Sequence, residues 1–378
     1  MQIDFHHGTT YVVARLAGFN HNEASIIAHS AQYVDDSTNA GAIRFNNGIH
    51  FHRISSAHKS FDYRNFRQLA NYQVWLPFHF LPGNGGLPPG QSPPGRPIDK
   101  LICYPNSYVA QDMVRHCILC RRDPFHLYRL GIVMHVYADT WAHQGFVGIN
   151  HRINQAKLIL DSQGKPDCES TQRVRRYFNK SLLQRLASLF VSEALPLGHG
   201  AVLSNPDKPF LKWGYINGLG QRIERDNPKD FLEAAEHMCR WMQRYRAGDP
   251  AASVTGLPDN DKATIEWLMR TLTDKSRKNR HHAWLAAIQA GKFSFGEAAV
   301  TYIAKGKDSW KYQALGTENE KDTGQEVFFY NTHFLNSHWK LFHDALQAHR
   351  RYIVHDLMPR YGIIEMVRNK SRGSLASR

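Results

Sequence analysis

Long hydrophobic runs are missing from this chain. Of its 378 residues 42% are hydrophobic, yet no stretch approaches the roughly eighteen uninterrupted apolar residues of a spanning helix, which argues against a helical integral membrane protein. Cysteine is scarce and odd in number: Cys103, Cys117, Cys120, Cys168 and Cys239 are scattered along the chain, a poor basis for a disulfide framework. The single Cys117-x-x-Cys120 pair lacks the second pair of a zinc knuckle. Strand-type alternation is nearly absent, and there is no internal repeat, phosphate loop, nucleophile elbow or dinucleotide fingerprint. No charged and apolar leader precedes Asp4-Phe5-His6-His7, so the expectation is a cytoplasmic protein, or one exported by a route without a cleaved signal. Acidic residues are in deficit: 33 Asp and Glu against 47 Lys and Arg leave a formal charge of +14, spread along the chain rather than gathered in a tail. That balance favours anionic partners such as nucleic acid, phospholipid headgroups or phosphate esters.

Histidine is what the chain has in excess. There are 22, many beside aromatics or aspartates in otherwise apolar text, a composition that points to metal. Helical patterns cover Thr9 to Ala17, stopped by Gly18, and a segment capped by Asn22 that runs to about Asp36. A third helix, opened by Asp123-Pro124, runs from about Phe125 to Phe146. Further amphipathic runs lie near 170–194, 228–247, 260–272, 281–290 and 333–357. Between Pro82 and Pro97, six prolines and five glycines in sixteen residues predict a long surface loop. The expected class is mainly α with long loops, as one large domain over 1–368 and a disordered tail at 369–378.

The stretch from Leu130 to Phe146 carries the clearest chemistry. His135, Asp139 and His143 stand at i, i+4 and i+8 and form one stripe of a helix, while Ile132, Val133, Met134, Val136, Tyr137, Ala138, Trp141 and Ala142 cover its other faces. A helix apolar all round is buried, and burying an acid with two imidazoles costs several kcal/mol unless they are compensated. A divalent cation satisfies all three at once; the competing reading is a buried, hydrogen-bonded His–Asp pair. On the second helix Ala24, Ile27, Ala28, Ala31 and Val34 share a stripe with Asp35, which therefore points inward, whereas Asp36 lies toward His29 and Tyr33. His6 and His7 precede the first helix. His50, His52 and His58 follow downstream, the last in a second His-x-x-x-Asp pair with Asp62, and any of the three is a possible ligand.

This order of residues resembles the ligand order of the zinc-dependent phospholipase C and fungal single-strand nuclease superfamily. His7-Gly-Thr-Thr-Tyr-Val-Val13-Ala14 is similar to its first ligand helix, Tyr33-Val34-Asp35 to its aspartate, and His135, Asp139 and His143 to its central ligands. The Asp-Phe-His-His-Gly start and the Tyr-Ala-Asp-Thr-Trp-Ala-His core also resemble a bacterial branch. The resemblance covers mainly residues 4–146. It implies a helical domain holding up to three zinc ions at the base of a cleft, with Asp139 bridging two of them, and hydrolysis of phosphate esters. Two departures matter. The superfamily uses the amino group and carbonyl of a processed N-terminal residue, whereas this chain begins Met1-Gln2-Ile3-Asp4, where Asp4 or His6 could substitute. It also uses a second His-x-x-x-Asp/Glu pair, and none follows His143. Possible substitutes are His199, Asp207 or the Glu233/His237 pair, although Gly198-His199-Gly200 also reads as a tight turn.

The resulting expectation is a metal-dependent phosphoester hydrolase, phospholipase C-like first and single-strand nuclease or other phosphodiesterase second. Asp139, or an unbound acid such as Asp36, would orient or deprotonate the attacking water. Zinc is the expected ion, and the N/O donor set also suits iron or manganese. The alternative is a non-catalytic helical protein whose metals hold the fold and whose basic surface binds an anionic partner. The basic runs Arg173-Val-Arg175-Arg176 and Lys275-Ser-Arg277-Lys278-Asn-Arg280 read as solvated helix ends, and His333, His338 and His343 lack regular ligand spacing.

Overall fold

Helical spacing of apolar residues dominates the sequence, and the structure, a computed structural model, is accordingly mainly helical over the residues it describes, 1–57, 71–173 and 198–363. A π-helical turn, Asp4–Thr9, runs directly into α1, Thr10–Leu16. Helix α2 spans His21–Asp36. Its cap is Asn20 rather than the expected Asn22: Asn20 Oδ1 accepts from the Glu23 amide at 3.0 Å, and Glu23 Oε2 accepts from the Asn20 amide at 2.9 Å, a reciprocal capping box. After two strands, β1 (Gly41–Phe45) and β2 (His50–Arg53), come a short helical turn at Leu76–Phe78, α3 (Tyr108–Leu119) and α4 (His126–Ala142). Strands β3 (Ala156–Leu160), β4 (Lys212–Asn217) and β5 (Arg222–Asp226) precede α5, Asn227–Ala247. Then follow α6 (Asp259–Thr271), α7 (Arg277–Gln289), α8 (Trp310–Leu315), β6 (Val327–Phe328) and α9 (His338–Tyr352). Helices α7 and α9 begin where Ser276 and Ser337 accept from amides three residues on, which moves their starts away from the apolar pattern.

The strands correct the expectation of almost none. Sheet order β2-β1-β6 joins an antiparallel hairpin to a parallel strand nearly three hundred residues later, Arg44 pairing with Val327, and β3-β4-β5 is antiparallel throughout. Each strand has at most six residues, too few inward positions for a period of two to register. The Pro82–Pro97 segment is a largely exposed loop, as expected, anchored by buried Asn84, whose Nδ2 donates to the carbonyls of Leu87 and Gln91 at 3.0 and 3.1 Å. Most of the run expected at 170–194 and the tail at 369–378 lie outside the described residues.

Helix α4 passes through the centre, with every residue from Tyr128 to Ala142 buried. Helix α2 lies directly against it because position 131 is glycine: a Cβ there would stand 2.3 Å from the Ile27 carbonyl oxygen. That close approach sets the inner end of α2 beside His135. No described helix is long and apolar enough to cross a membrane.

Candidate metal centre

Five separate segments deliver side chains to one buried place. Helix α4 supplies His135 and Asp139 on the expected stripe. His143 follows immediately after the last helical residue, Ala142, with its Nδ1 still 3.6 Å from Asp139 Oδ2. The π-helical turn supplies His6, whose ring stacks on His135 at 3.8 Å between centroids and whose Nε2 lies 3.2 Å from Asp139 Oδ1. Asp35 ends α2, His79 follows the Leu76–Phe78 turn, and the loop at 198–207 adds His199 and Asp207. Three groups result, His6/Asp35/His135, His79/His135/Asp139 and His143/His199/Asp207, with the donor atoms of each within 4.8 Å of one another. His6, His79, His135, Asp139 and His143 are at most 4% exposed, whereas the Asp35 side chain keeps 33% of its surface.

The hydrogen bonds of the histidines fix what these side chains present to each other. A backbone carbonyl can only accept, so a ring nitrogen bonded to one must carry the proton. His135 Nδ1 donates to Ala31 O at 2.7 Å, His143 Nδ1 to His79 O at 2.7 Å, His199 Nδ1 to Leu203 O at 2.6 Å and His79 Nε2 to Ser56 O at 3.0 Å. In the neutral rings the opposite nitrogen is therefore a lone pair. Those lone pairs face acceptors: His135 Nε2 lies 3.2 Å from His79 Nδ1 and 3.3 Å from Asp139 Oδ2. His143 Nε2 and His199 Nε2 each lie 3.3 Å from an Asp207 oxygen. Asp139 Oδ2 and both ring nitrogens of His6 are buried with no hydrogen-bond partner among the described residues. Acceptor facing acceptor in a buried place is unfavourable without a positive charge between them, and a carbonyl-oriented imidazole is the usual outer support of a metal ligand. The donor set fits a divalent cation.

Electrostatics agree in direction. Burial would raise the Asp139 carboxyl, but His143, the Met1 amine, His135 and His6 hold it well below the usual range. Burial pushes His6 far down, so that it is a neutral imidazole, and lowers His143 as well, against the pull of Asp139. Burial also raises Asp35, against the attraction of His135 and His79. The α-amine of Met1 lies 2.5 Å from Asp139 Oδ1 and 3.3 Å from Asp207 Oδ1. Burial alone would lower it, but Asp139, Asp207 and Asp35 raise it to about 10.

The sequence-expected residues divide as follows. His135, Asp139, His143, Asp35, His6 and His199 come together. His7 does not: its Nδ1 meets His281 Nε2 at 2.9 Å, since neighbouring residues of the turn point to different sides. Asp4 cannot substitute as a ligand because it pairs with Arg280 Nε at 2.6 Å. Asp36 faces away from the centre and is occupied by the Tyr302 hydroxyl at 2.6 Å and the Gln32 amide at 3.1 Å, which removes it as the base. His50 and His52 sit on the solvent face of β2. His237 packs against the outer side of Trp141 with ring centroids 5.6 Å apart, so the Glu233/His237 pair is no substitute; Asp207 joins His199 instead. His58 and Asp62 lie outside the described residues. His79 was missed altogether, although a lone histidine in the apolar run Leu76-Pro-Phe-His79-Phe-Leu81 is the kind of buried polar residue that signals a site.

No curated protein and no solved structure matches the chain. A family model matches residues 1–357, and the chain belongs to that family, one of unknown function (DUF6765).

Proposed function

We propose that the protein is a metal-dependent hydrolase of phosphate esters, in the manner of the zinc-dependent phospholipase C fold. The observation that carries this is the set of carbonyl-oriented imidazoles whose lone pairs converge on Asp139 and Asp207. His6, Asp35, His79, His135, Asp139, His143, His199 and Asp207 would hold two or three divalent ions, zinc by donor type. Such ions lower the pKa of water toward neutrality and neutralise phosphate oxygens. Asp139, buried among four imidazoles and acceptor-only, serves to orient.

A nuclease is the second reading, suited by the basic balance of the chain, 47 Lys and Arg against 33 Asp and Glu. The test is zinc per chain by elemental analysis, with and without Asp139→Asn, and then hydrolysis of bis(p-nitrophenyl) phosphate, phosphatidylcholine and single-stranded DNA. Two or three zinc per chain, lost in the variant together with turnover, is the expected result. No metal in the parent protein, and none taken up on adding zinc, manganese or iron, would sink the proposal. Bound metal with no turnover of any phosphodiester would support the fold-holding alternative.

A further inference from the structure

The antiparallel sheet β3-β4-β5 contributes no ligand to the centre, yet the junction between β5 and α5 grips the backbone on both sides of the third ligand group. Arg225 is 5% exposed. Its Nη2 donates to Trp141 O at 2.8 Å and its Nη1 to Ala142 O at 3.1 Å. These are the last two carbonyls of α4, which have no partner within the helix and carry its negative end. Nε of the same guanidinium donates to Asp230 Oδ2 at 3.1 Å, and Gln144 Nε2 donates both to Asp230 Oδ2 at 3.0 Å and to Trp141 O at 2.9 Å. His143 is therefore the one residue between two anchored positions.

Two residues further on, fully buried Asn227 does the same for the aspartate. Its Nδ2 donates to Asn205 O at 2.8 Å and to Lys208 O at 2.8 Å, bracketing Asp207, while its Oδ1 accepts from Trp213 Nε1 at 3.2 Å. Neither side chain hydrogen-bonds or pairs with the ligand imidazoles or carboxylates among the described residues, although Arg225 and Asp207 attract each other at longer range.

We propose that Arg225 and Asn227 are positioning residues for the His143/His199/Asp207 group, setting its geometry through main-chain carbonyls while leaving the His6/Asp35/His135 and His79/His135/Asp139 groups to α2 and α4. The proposal rests on the metal-centre reading. It implies that one ion is held by the sheet and the others by the helices, so that the two can be lost separately.

The test uses the full chain with Arg225→Lys, which keeps the charge and removes the fork, and Asn227→Ala, with Arg53→Lys as a control at another buried arginine that bonds Asp322. Two readouts are taken: histidine ring ¹⁵N–¹H correlations of the metal-free protein, and zinc titration followed by elemental analysis. The expected result is movement of the His143 and His199 ring signals with those of His6 and His135 unchanged. One class of zinc should weaken about 10–100-fold, as for outer-shell partners elsewhere, and Arg53→Lys should alter neither readout. Equal movement of all four rings, or equal weakening of every zinc class, would mean a general structural role and overturn the proposal. So would no movement at all. If the parent protein binds no zinc, the metal reading fails, and the ring signals still decide the positioning role.

Discussion

Two aspartates, each 1% exposed, sit within a short distance of the same π-helical turn and are treated in opposite ways. Asp4 meets a guanidinium: Arg280 Nε donates to its Oδ2, and the other arms of Arg280 go to Asp274 O and to the Gln2 side chain. Asp139 meets the Met1 ammonium at Oδ1 and, around Oδ2, the imidazoles of His79, His135 and His143. The first acid is closed by a guanidinium of its own, while the second shares one ammonium with Asp207 and keeps Oδ2 without a hydrogen-bond donor among the described residues, the oxygen that the proposed cation would serve. Residue type alone does not distinguish these two buried acids; the donors and acceptors around each one do.

The sharpest way to break that comparison is to neutralise each acid in turn. Asp4→Asn should leave zinc stoichiometry unchanged and lower unfolding free energy by about 3–5 kcal/mol, because it strands a buried guanidinium. Asp139→Asn should remove metal and depress turnover beyond the about 10–100-fold that outer-shell losses cost. Urea denaturation with elemental analysis on both proteins checks this, and equal loss of metal in the two would erase the distinction. Next in size is Gly131→Ala, whose methyl would collide with Ile27 O. A cost of about 1–3 kcal/mol from overpacking, accompanied by weaker metal binding as α2 is pushed off α4, is expected from thermal melts in the presence and absence of zinc.

Histidines remote from the centre sharpen the comparison through pH. Burial takes His343 down to about 3, and His349, which donates Nε2 to Pro77 O at 2.9 Å, down to about 3 as well. Their folded pKa lies below the unfolded value of about 6.5, so the unfolded chain takes the proton first. Stability is full above about pH 6.5 and falls as pH drops toward 3, by about 1.4 kcal/mol per pH unit for each such group. Urea midpoints between pH 7 and 5 should show this slope, reduced by about one proton in His343→Gln. The smallest effect is expected at exposed His50 and His52, where substitution by Gln should change stability by no more than about 0.5 kcal/mol and leave bound zinc unaltered.

The helical half of the centre was legible because it obeys helical arithmetic. His135 and Asp139 share a stripe of α4, and Asp35 ends the apolar stripe of α2; three or four residues of separation suffice to bring such positions together. The other half follows no period. His79 arrives through an irregular segment whose position depends on Pro82 bridging to Cys103 and on the Cys103 amide donating to Phe146 O at 2.9 Å. Asp207 is placed by Asn227, twenty residues later in the chain. The resemblance to phosphoester hydrolases left a second ligand pair unassigned, and only tertiary contacts could say that Asp207, rather than Glu233 or His237, lies beside His143 and His199. His7 illustrates the reverse error: adjacent histidines look equivalent in text, and a turn sends them to different neighbours.

The grip of Arg280 on Asp4 and Gln2 also bears on the order of assembly during synthesis. The Asp4 carboxylate cannot find its guanidinium before α7 has been made, and roughly 70 residues separate Asp207 from Arg280. At about 5–20 residues per second the ribosome takes roughly 4–15 s to cover that distance. A nascent chain would therefore carry Asp4 without its buried partner for those seconds, so that the N-terminal turn gains its last ion pair only after every other element around Asp139 has been made.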